Sequence, residues 1–269
     1  MAKSPEEFKK QMEDNFKVAL SEHSHVKKVI GIVSGKGGVG KSLVTGLSAV
    51  AMNNKGYKTA IMDADITGPS IPKMFGIGKH NYADETGLIP AVTEKGMKVM
   101  SLNMLMDNET DPVVWRGPVI AGIVKQFWSD VNWGDVDFMF VDMPPGTGDV
   151  PLTVFQSLPV DGIIVVSTPQ ELVEMIVEKA INMANIMNIP VLGIVENMSY
   201  MNCPHCNEPI YVFGKSKIES YAASKGLDIL GRIPLNPALA EKCDAGKAED
   251  IDEDYLASLA YVLEGMIQE

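Results

Sequence analysis

The chain has 269 residues, 46% of them hydrophobic, and its 35 acidic and 23 basic residues give a formal charge of −12. This length suits one large α/β domain or two small ones, and the lack of a Ser-, Gly- or Pro-rich linker favours one. The acidic balance argues against nucleic acid as a partner, because phosphate contacts need clustered Lys and Arg.

The sequence also bears on the cellular compartment. It has no apolar run of about 18 residues that would predict a membrane span. Residues 1–21 carry acids where a signal peptide would be cationic and then apolar. Three cysteines in a chain of this length do not suggest a disulfide framework. We therefore expect a soluble, cytoplasmic protein that binds neither membrane nor nucleic acid.

At the N-terminus, Phe8, Met12, Phe16 and Leu20 are spaced four residues apart. This spacing predicts an amphipathic helix over residues 4–20 that packs on the domain or on a partner subunit. The predicted organisation is a helical extension, residues 1–25, followed by a single domain, residues 26–269.

A glycine-rich loop follows the apolar run 29–33 and precedes a helical pattern over residues 43–54. Its pattern, G-x-x-x-x-G-K-[ST], is typical of a loop whose backbone N–H groups surround the β-phosphate of a nucleotide. The lysine would reach the β- and γ-phosphates, and the serine hydroxyl would ligate Mg²⁺. The loop residues are Gly35, Lys36, Gly37, Gly38, Val39, Gly40, Lys41 and Ser42.

A predicted strand, residues 59–62, leads directly to Asp63 and Asp65. Ligands of parallel sheets bind beyond the carboxyl ends of the strands, so both acids are candidates for contact with Mg²⁺ or the γ-phosphate. The alternative is that the two acids only begin the turn continued by residues 68–70.

Residues 76–111 are predicted to leave the sheet, apart from a strand at 99–102, and a helix is predicted over 119–128. The next strand, residues 136–141, ends at Asp142 and is followed by Pro144, Pro145 and Gly146. An apolar strand ending in Asp fits the second Mg²⁺-associated carboxylate of phosphate-loop NTPases. The proline- and glycine-rich segment suits a switch that senses the γ-phosphate.

Strands and helices alternate over the rest of the chain. Strands are predicted at 162–166, 190–195 and 229–230, and helices at 168–188, 217–225 and 255–268. This alternation predicts an α/β fold with a mostly parallel sheet covered by helices on both faces, as in phosphate-loop NTPases.

Cys203 and Cys206 form a C-x-x-C pair and supply two thiolates, whereas a [4Fe–4S] cluster or a structural zinc usually takes four ligands. Two chains related by a two-fold axis would supply four. A redox dithiol would need a helix N-terminus at the first cysteine, and residues 207–209 argue against one. Zinc and purely structural cysteines remain alternatives. Cys243, on a predicted helix, is interpreted as a packing residue.

The motifs together resemble those of a known family. Lys36, directly after the first glycine, resembles the deviant phosphate loop of the MinD, ParA and nitrogenase-iron-protein class of ATPases. Residues 63–72, residues 133–149 and Asn197 with the two cysteines are similar to the Mrp/ApbC family of iron-sulfur cluster carrier ATPases. The likeness covers residues 29–245.

The resemblance implies a role for each matching residue. Lys36 would reach the nucleotide of a partner subunit, like an arginine finger, and act with Lys41 and Asp65 in ATP hydrolysis. Asp63 and Asp142 would hold Mg²⁺ through water, although either Asp63 or Asp65 could lie closer to the γ-phosphate. Asn197 and a turn containing Arg232 and Pro234 would face the adenine.

The resemblance further implies a homodimer that binds ATP and Mg²⁺, bridges a [4Fe–4S] cluster between its subunits and delivers it to apo iron-sulfur proteins. Two other functions stay open. A positioning ATPase would need a cationic amphipathic tail, but residues 249–269 contain no Lys or Arg. An electron-transfer reductase with the same cluster geometry is the second alternative.

Overall fold

The structure is a computed structural model that describes residues 17–65, 70–79, 83–105, 117–146, 148–169 and 173–268. The strands are β1 (Ser24–Ser34), β2 (Thr59–Asp63), β3 (Ala83–Asp84), β4 (Gly87–Leu88), β5 (Ala91–Val92), β6 (Lys98–Ser101), β7 (Gly134–Asp142), β8 (Gly162–Ser167), β9 (Val191–Asn197), β10 (Met201–Asn202), β11 (Pro209–Ile210) and β12 (Ile229–Ile233).

The α-helices lie between the strands and after the last one. They are α1 (Lys41–Asn54), α2 (Ser70–Met74), α3 (Gly117–Ser129), α4 (Asp149–Ser157), α5 (Val173–Ile186), α6 (Ile218–Ser224), α7 (Pro237–Asp244) and α8 (Ala257–Gln268). Two short 3₁₀ helices, Leu102–Met104 and Ala248–Asp250, follow β6 and α7. No helix in these ranges has the length and apolarity needed to cross a membrane.

Within the described ranges, eight strands form one sheet in the order β12-β9-β8-β1-β7-β2-β6-β5. Every neighbouring pair is parallel except β5 with β6, at one edge. The central strands are nearly continuous apolar runs because helices cover both of their faces. The predicted fold class is confirmed.

Two hydrophobic clusters lie on opposite faces of the sheet. One is built with α3 to α6 and contains Phe127, Val154, Val177 and Ile218. The other is built with α1, α2, α7 and α8 and contains Val44, Ile71, Leu239 and Leu259. This arrangement leaves the carboxyl ends of the strands for the site.

Strand register brings the predicted acids together. Asp63 of β2 is the cross-strand neighbour of Asp142 of β7, and Asp142 is also opposite Ile32 of β1. β1 leads directly into the phosphate loop, so the loop and both acids meet at one edge of the sheet.

Some sequence predictions differ from the structure. Residues 17–20 are not helical. The Val18 N–H donates to the Ser157 carbonyl at 2.9 Å, and the Val18 carbonyl accepts from Trp128 Nε1 at 3.0 Å. These backbone groups therefore bond to distant parts of the fold instead of to other residues of a helix. The rest of the predicted N-terminal helix lies outside the described residues. β1 begins at Ser24, two residues before the predicted start of the domain.

Two further differences concern elements near the site. β6 at 98–101 agrees with the strand predicted at 99–102, but residues 91–92, part of the predicted excursion, also join the main sheet as β5. Residues 106–111 lie outside the described residues. α4 was not predicted, because its nine residues follow directly after the proline- and glycine-rich segment.

Candidate functional site

The phosphate loop connects β1 to α1 and needs glycine at two positions. Gly38 and Gly40 have φ angles of 78° and 79°, in the left-handed region that favours glycine. Gly40 is the N-cap of α1 and supplies no side-chain hydrogen bond, so the N–H groups of the first turn face the loop uncapped. These groups and the positive end of the helix dipole are suited to an anion.

Lys41 lies between two carboxylates. Its Nζ is 2.8 Å from Oδ1 of Asp142 and 3.4 Å from Oδ2 of Asp65. The Lys41 side chain is 6% exposed and that of Asp142 is fully buried. A buried ammonium that is paired with carboxylates can exchange them for phosphate oxygens when a nucleotide binds.

Two hydroxyls of α1 also bind Asp142. Ser42 Oγ donates to Oδ2 and Thr45 Oγ1 donates to Oδ1, each at 2.6 Å. Hydroxyl and carboxylate oxygens are ligands that Mg²⁺ prefers, so Ser42 and Asp142 fit the predicted metal. Thr45 was not among the predicted site residues. Its position one helical turn after Lys41 could have indicated it, because residues four apart lie on the same face of a helix.

The structure gives Asp63 and Asp65 different surroundings. Asp63 is buried beneath the site, where its carboxylate accepts from Ser101 Oγ at 2.8 Å and from the Asp65 N–H at 3.0 Å. Desolvation by burial, and then the neighbouring charge of Asp142, raise the pKa of Asp63 well above its usual value. Asp65 instead lines the cleft above the loop.

A cleft of about 350 Å³ lies over the loop. Lys36, Asp65 and Pro145 all contribute to its wall. The switch segment is hydrogen-bonded to the end of β1, directly before the loop, because the Gly146 N–H donates to the Ser34 carbonyl at 2.8 Å. Thr147 of the predicted switch lies outside the described residues.

The predicted adenine contacts are divided between two places. Asn197, at the end of β9, donates from Nδ2 to the Val39 carbonyl of the phosphate loop at 2.9 Å. Arg232 is instead opposite Glu196 in the β12–β9 pair and lies 3.1 Å from Glu219, outside the residues that line the phosphate cleft. The predicted turn is wrong for residues 232 and 233, which belong to β12, and Pro234 follows the strand in a buried position.

The cysteine pair lies on a small antiparallel hairpin formed by β10 and β11. The Cys203 N–H donates to the Glu208 carbonyl and the Asn207 N–H donates to the Cys203 carbonyl, both at 2.9 Å. Cys203 is half-buried and Cys206 is exposed. The loop between the strands is not helical, as expected, which removes the helix dipole that a redox dithiol would use.

Hydrogen bonds favour a thiolate at Cys203. Backbone N–H groups of His205 and Cys206, and then the Cys206 thiol, donate to its sulfur and lower its pKa. Within the described ranges of the chain, no three His, Cys, Asp or Glu side chains converge on a metal position. Cys243, half-buried in α7, packs against the core, and burial raises its pKa.

Known sequences are similar to this chain over most of its length. The ParA family model, described as NUBPL iron-transfer P-loop NTPase, matches residues 25–266. The iron-sulfur cluster carrier protein of Clostridium perfringens is 45% identical over 89% of this chain and 87% of its own length. The protein of the same name from Methanocaldococcus jannaschii is 48% identical over 83% and 78%, respectively.

Solved structures are similar as well. A nucleotide-binding protein from Archaeoglobus fulgidus, solved in complex with ADP, is 43% identical and superposes with a TM-score of 0.77, over 86% of this chain and 91% of that one. MinD from Aquifex aeolicus superposes with a TM-score of 0.60 over 90% and 98% of the two chains. At 22% identity, that second likeness shows the fold alone.

Proposed function

The chain belongs to the ParA family of NUBPL-type iron-transfer P-loop NTPases, and on that premise we propose that it is an ATP-hydrolysing carrier that binds a [4Fe–4S] cluster and delivers it to apo-proteins. The family confirms the resemblance read from the motifs. The observation that carries the proposal is the presence, in one chain, of a complete phosphate loop and a hairpin that carries a half-buried and an exposed cysteine.

The nucleotide part of the proposal rests on the groups around Lys41. ATP would replace Asp142 and Asp65 as the partners of the Lys41 ammonium, which frees both carboxylates. Ser42 and Asp142 would then hold Mg²⁺, which neutralises charge on the β- and γ-phosphates when bound. Asp65, in the wall of the cleft, is the better placed acid to orient the attacking water, while Asp63 supports it from below through the Asp65 N–H.

Lys36 completes the proposed site from a second subunit. It lies in the cleft wall on the same loop as Lys41. A second cation at the γ-phosphate stabilises the charge that builds up on the transferred phosphoryl group. In the proposed homodimer each Lys36 serves the nucleotide of the opposite chain.

The cargo part of the proposal rests on ligand number. Cys203 and Cys206 of one chain supply two thiolates, and the described residues bring no third His, Cys, Asp or Glu to a common metal position. Two chains supply the four thiolates that a [4Fe–4S] cluster takes. A cluster held between subunits can be released when the subunits separate, which suits a carrier.

Cluster transfer to an apo-enzyme tests the proposal. The wild type, Cys203→Ala, Cys206→Ala and the control Cys243→Ala are reconstituted anaerobically and mixed with an apo-enzyme that needs a [4Fe–4S] cluster. We expect the wild type and Cys243→Ala to activate the enzyme and the other two variants to fail. Equal transfer by all four proteins would contradict the carrier function.

A further inference from the structure

The segment that carries the cysteine pair, residues 198–217, is hydrogen-bonded near both of its ends to one buried carboxylate. The chain leaves the sheet after β9, forms the hairpin and returns at α6. Ser199, near the start of this segment, donates from Oγ to Oε2 of Glu196, and Ser216, near its end, donates from Oγ to Oε1. Glu196 lies in β9 and is 1% exposed. Its two oxygens therefore hold the two ends of the loop side by side.

Other bonds fix the same two ends. The Ser199 N–H donates to the Ile233 carbonyl at 3.0 Å, and the Tyr200 carbonyl accepts from the Leu235 N–H at 2.7 Å. Ser216 Oγ also accepts from the Ile218 N–H at 3.1 Å, so it joins the start of α6 to Glu196. The guanidinium of Arg232, with Nε 3.7 Å from Glu196 Oε2, balances the buried charge.

Packing restrains the segment between these ends only in part. None of residues 204–215 is buried, and Ile210, Tyr211, Val212 and Phe213 keep 42–49% of their surface exposed. The position of a loop without a buried side chain depends strongly on its hydrogen bonds and its attachment points. The two serine bonds to Glu196 are thus the main side-chain restraint on where the cysteines lie.

The residue after Glu196 forms a hydrogen bond with the phosphate loop. Asn197 donates to the Val39 carbonyl of the phosphate loop. Successive side chains of a strand point to opposite faces of the sheet, so one dipeptide contacts the phosphate loop on one face and the cysteine segment on the other.

From these contacts we infer that Glu196 is the positioning residue of the cysteine pair. It holds residues 199 and 216 together, so that Cys203 and Cys206 are presented as a preformed pair of ligands at a fixed place relative to the phosphate loop. The identity of the cargo rests on the proposed function, but the restraint on the segment does not.

Serine variants test this inference without removing the buried carboxylate. Ser199→Ala and Ser216→Ala each remove one bond to Glu196. Ser216→Ala also removes the bond from the Ile218 N–H, so Ser199→Ala is the cleaner of the two, and Ser216→Thr keeps the hydroxyl. The matched control is Ser220→Ala, because Ser220 Oγ bonds only its own helix, at the Lys217 carbonyl. Amide hydrogen exchange is measured on the apo-protein, and the loss of cluster absorbance under a chelator is measured after reconstitution.

Each alanine variant is expected to speed exchange in residues 200–215 by about tenfold or more, the factor that one net hydrogen bond to a charged group is worth, and to leave exchange in α1 and β1 unchanged. We expect cluster loss to be faster by a similar factor. Ser216→Thr and Ser220→Ala should match the wild type in exchange and in cluster loss. A change in the general stability of the protein would not produce this pattern.

Two results separate this inference from the proposed function. If the wild type holds a cluster and the Ser199→Ala/Ser216→Ala double variant exchanges and loses it no faster, Glu196 does not position the pair, while the carrier function stands. If the wild type takes up no cluster but the double variant exchanges faster only in residues 200–215, the restraint stands and the carrier function is wrong.

Discussion

Asp142 organises the site at the scale of single residues. Its two oxygens bind Lys41, Ser42 and Thr45, and it is fully buried. A carboxylate in this position is tolerated because it is paired and hydrogen-bonded. In the proposed function a Mg²⁺–nucleotide complex engages the same groups, and its binding would replace these internal contacts with contacts to the ligand.

Asp63 gives a pH-dependent prediction at this scale. The pKa of Asp63 is raised in the folded state, so the folded protein binds this proton more tightly than the unfolded chain does. The free energy of unfolding therefore falls as the pH rises from about 4, the usual pKa of Asp, through the pKa of Asp63 in the folded protein. Asp63→Asn should therefore be more stable than the wild type at pH 8 without nucleotide or metal, with the gain shrinking toward pH 4. Thermal unfolding across this range measures the difference.

Asp135→Asn is the matched control for Asp63. Asp135 is exposed, and a hydrogen bond from Lys58 lowers its pKa, so its removal should give no gain at pH 8. A difference between Asp63→Asn and the wild type that stayed constant with pH would show that Asp63 does not titrate as described.

At the scale of elements, the unit of strand, phosphate loop and helix could be predicted because its signals are local. Buried parallel strands have apolar runs, such as residues 138–141 of β7, and this run ends at a polar residue, Asp142. The contacts of Glu196 with Ser216 and of Asn197 with Val39 could not be predicted, because they join residues 20 and 158 positions apart through the packing of β9. β5 was not predicted because a strand of two residues is too short to show a hydrophobic alternation.

The phosphate loop gives a prediction at the same scale. A Cβ on Gly40 would lie 2.1 Å from Asn197 Nδ2, and its φ of 79° already disfavours other residues. Gly40→Ala should lower the free energy of unfolding of the apo-protein by about 2–4 kcal/mol, through backbone strain and the displaced amide. Chemical denaturation measures this change.

Gly37→Ala is the comparison for Gly40. A Cβ there would lie 3.9 Å from Pro145 Cγ, an ordinary contact, so the stability of the apo-protein should not change measurably. Equal destabilisation by the two substitutions would mean that Asn197 does not hold the loop as the structure shows.

At the scale of the whole molecule, one chain supplies half of each proposed site. Its hairpin carries the two cysteines proposed as cluster ligands, and its Lys36, which lines the chain's own cleft, is proposed to serve the nucleotide of the partner. In this proposal both functions depend on the same association of two chains. This dependence gives a physical route by which nucleotide state can affect the cluster.

Mixed dimers test the sharing of Lys36. Lys36→Ala and Lys41→Ala should each lose nearly all ATP hydrolysis, the first by about 10³-fold if it acts like an arginine finger. Mixing equal amounts should restore about a quarter of the wild-type rate, since half of the dimers then hold one complete site. Steady-state phosphate release measures it, and a mixture no more active than its components would place Lys36 in its own subunit's site.

Native mass spectrometry of the anaerobically reconstituted protein tests whether the cysteines of two chains hold one cluster. We expect a dimer that carries one cluster of four iron and four sulfide ions, and a Cys206→Ala protein without it. A monomer that carries the full cluster, or a Cys206→Ala dimer with the same iron content as the wild type, would contradict a cargo held by Cys203 and Cys206 of two chains.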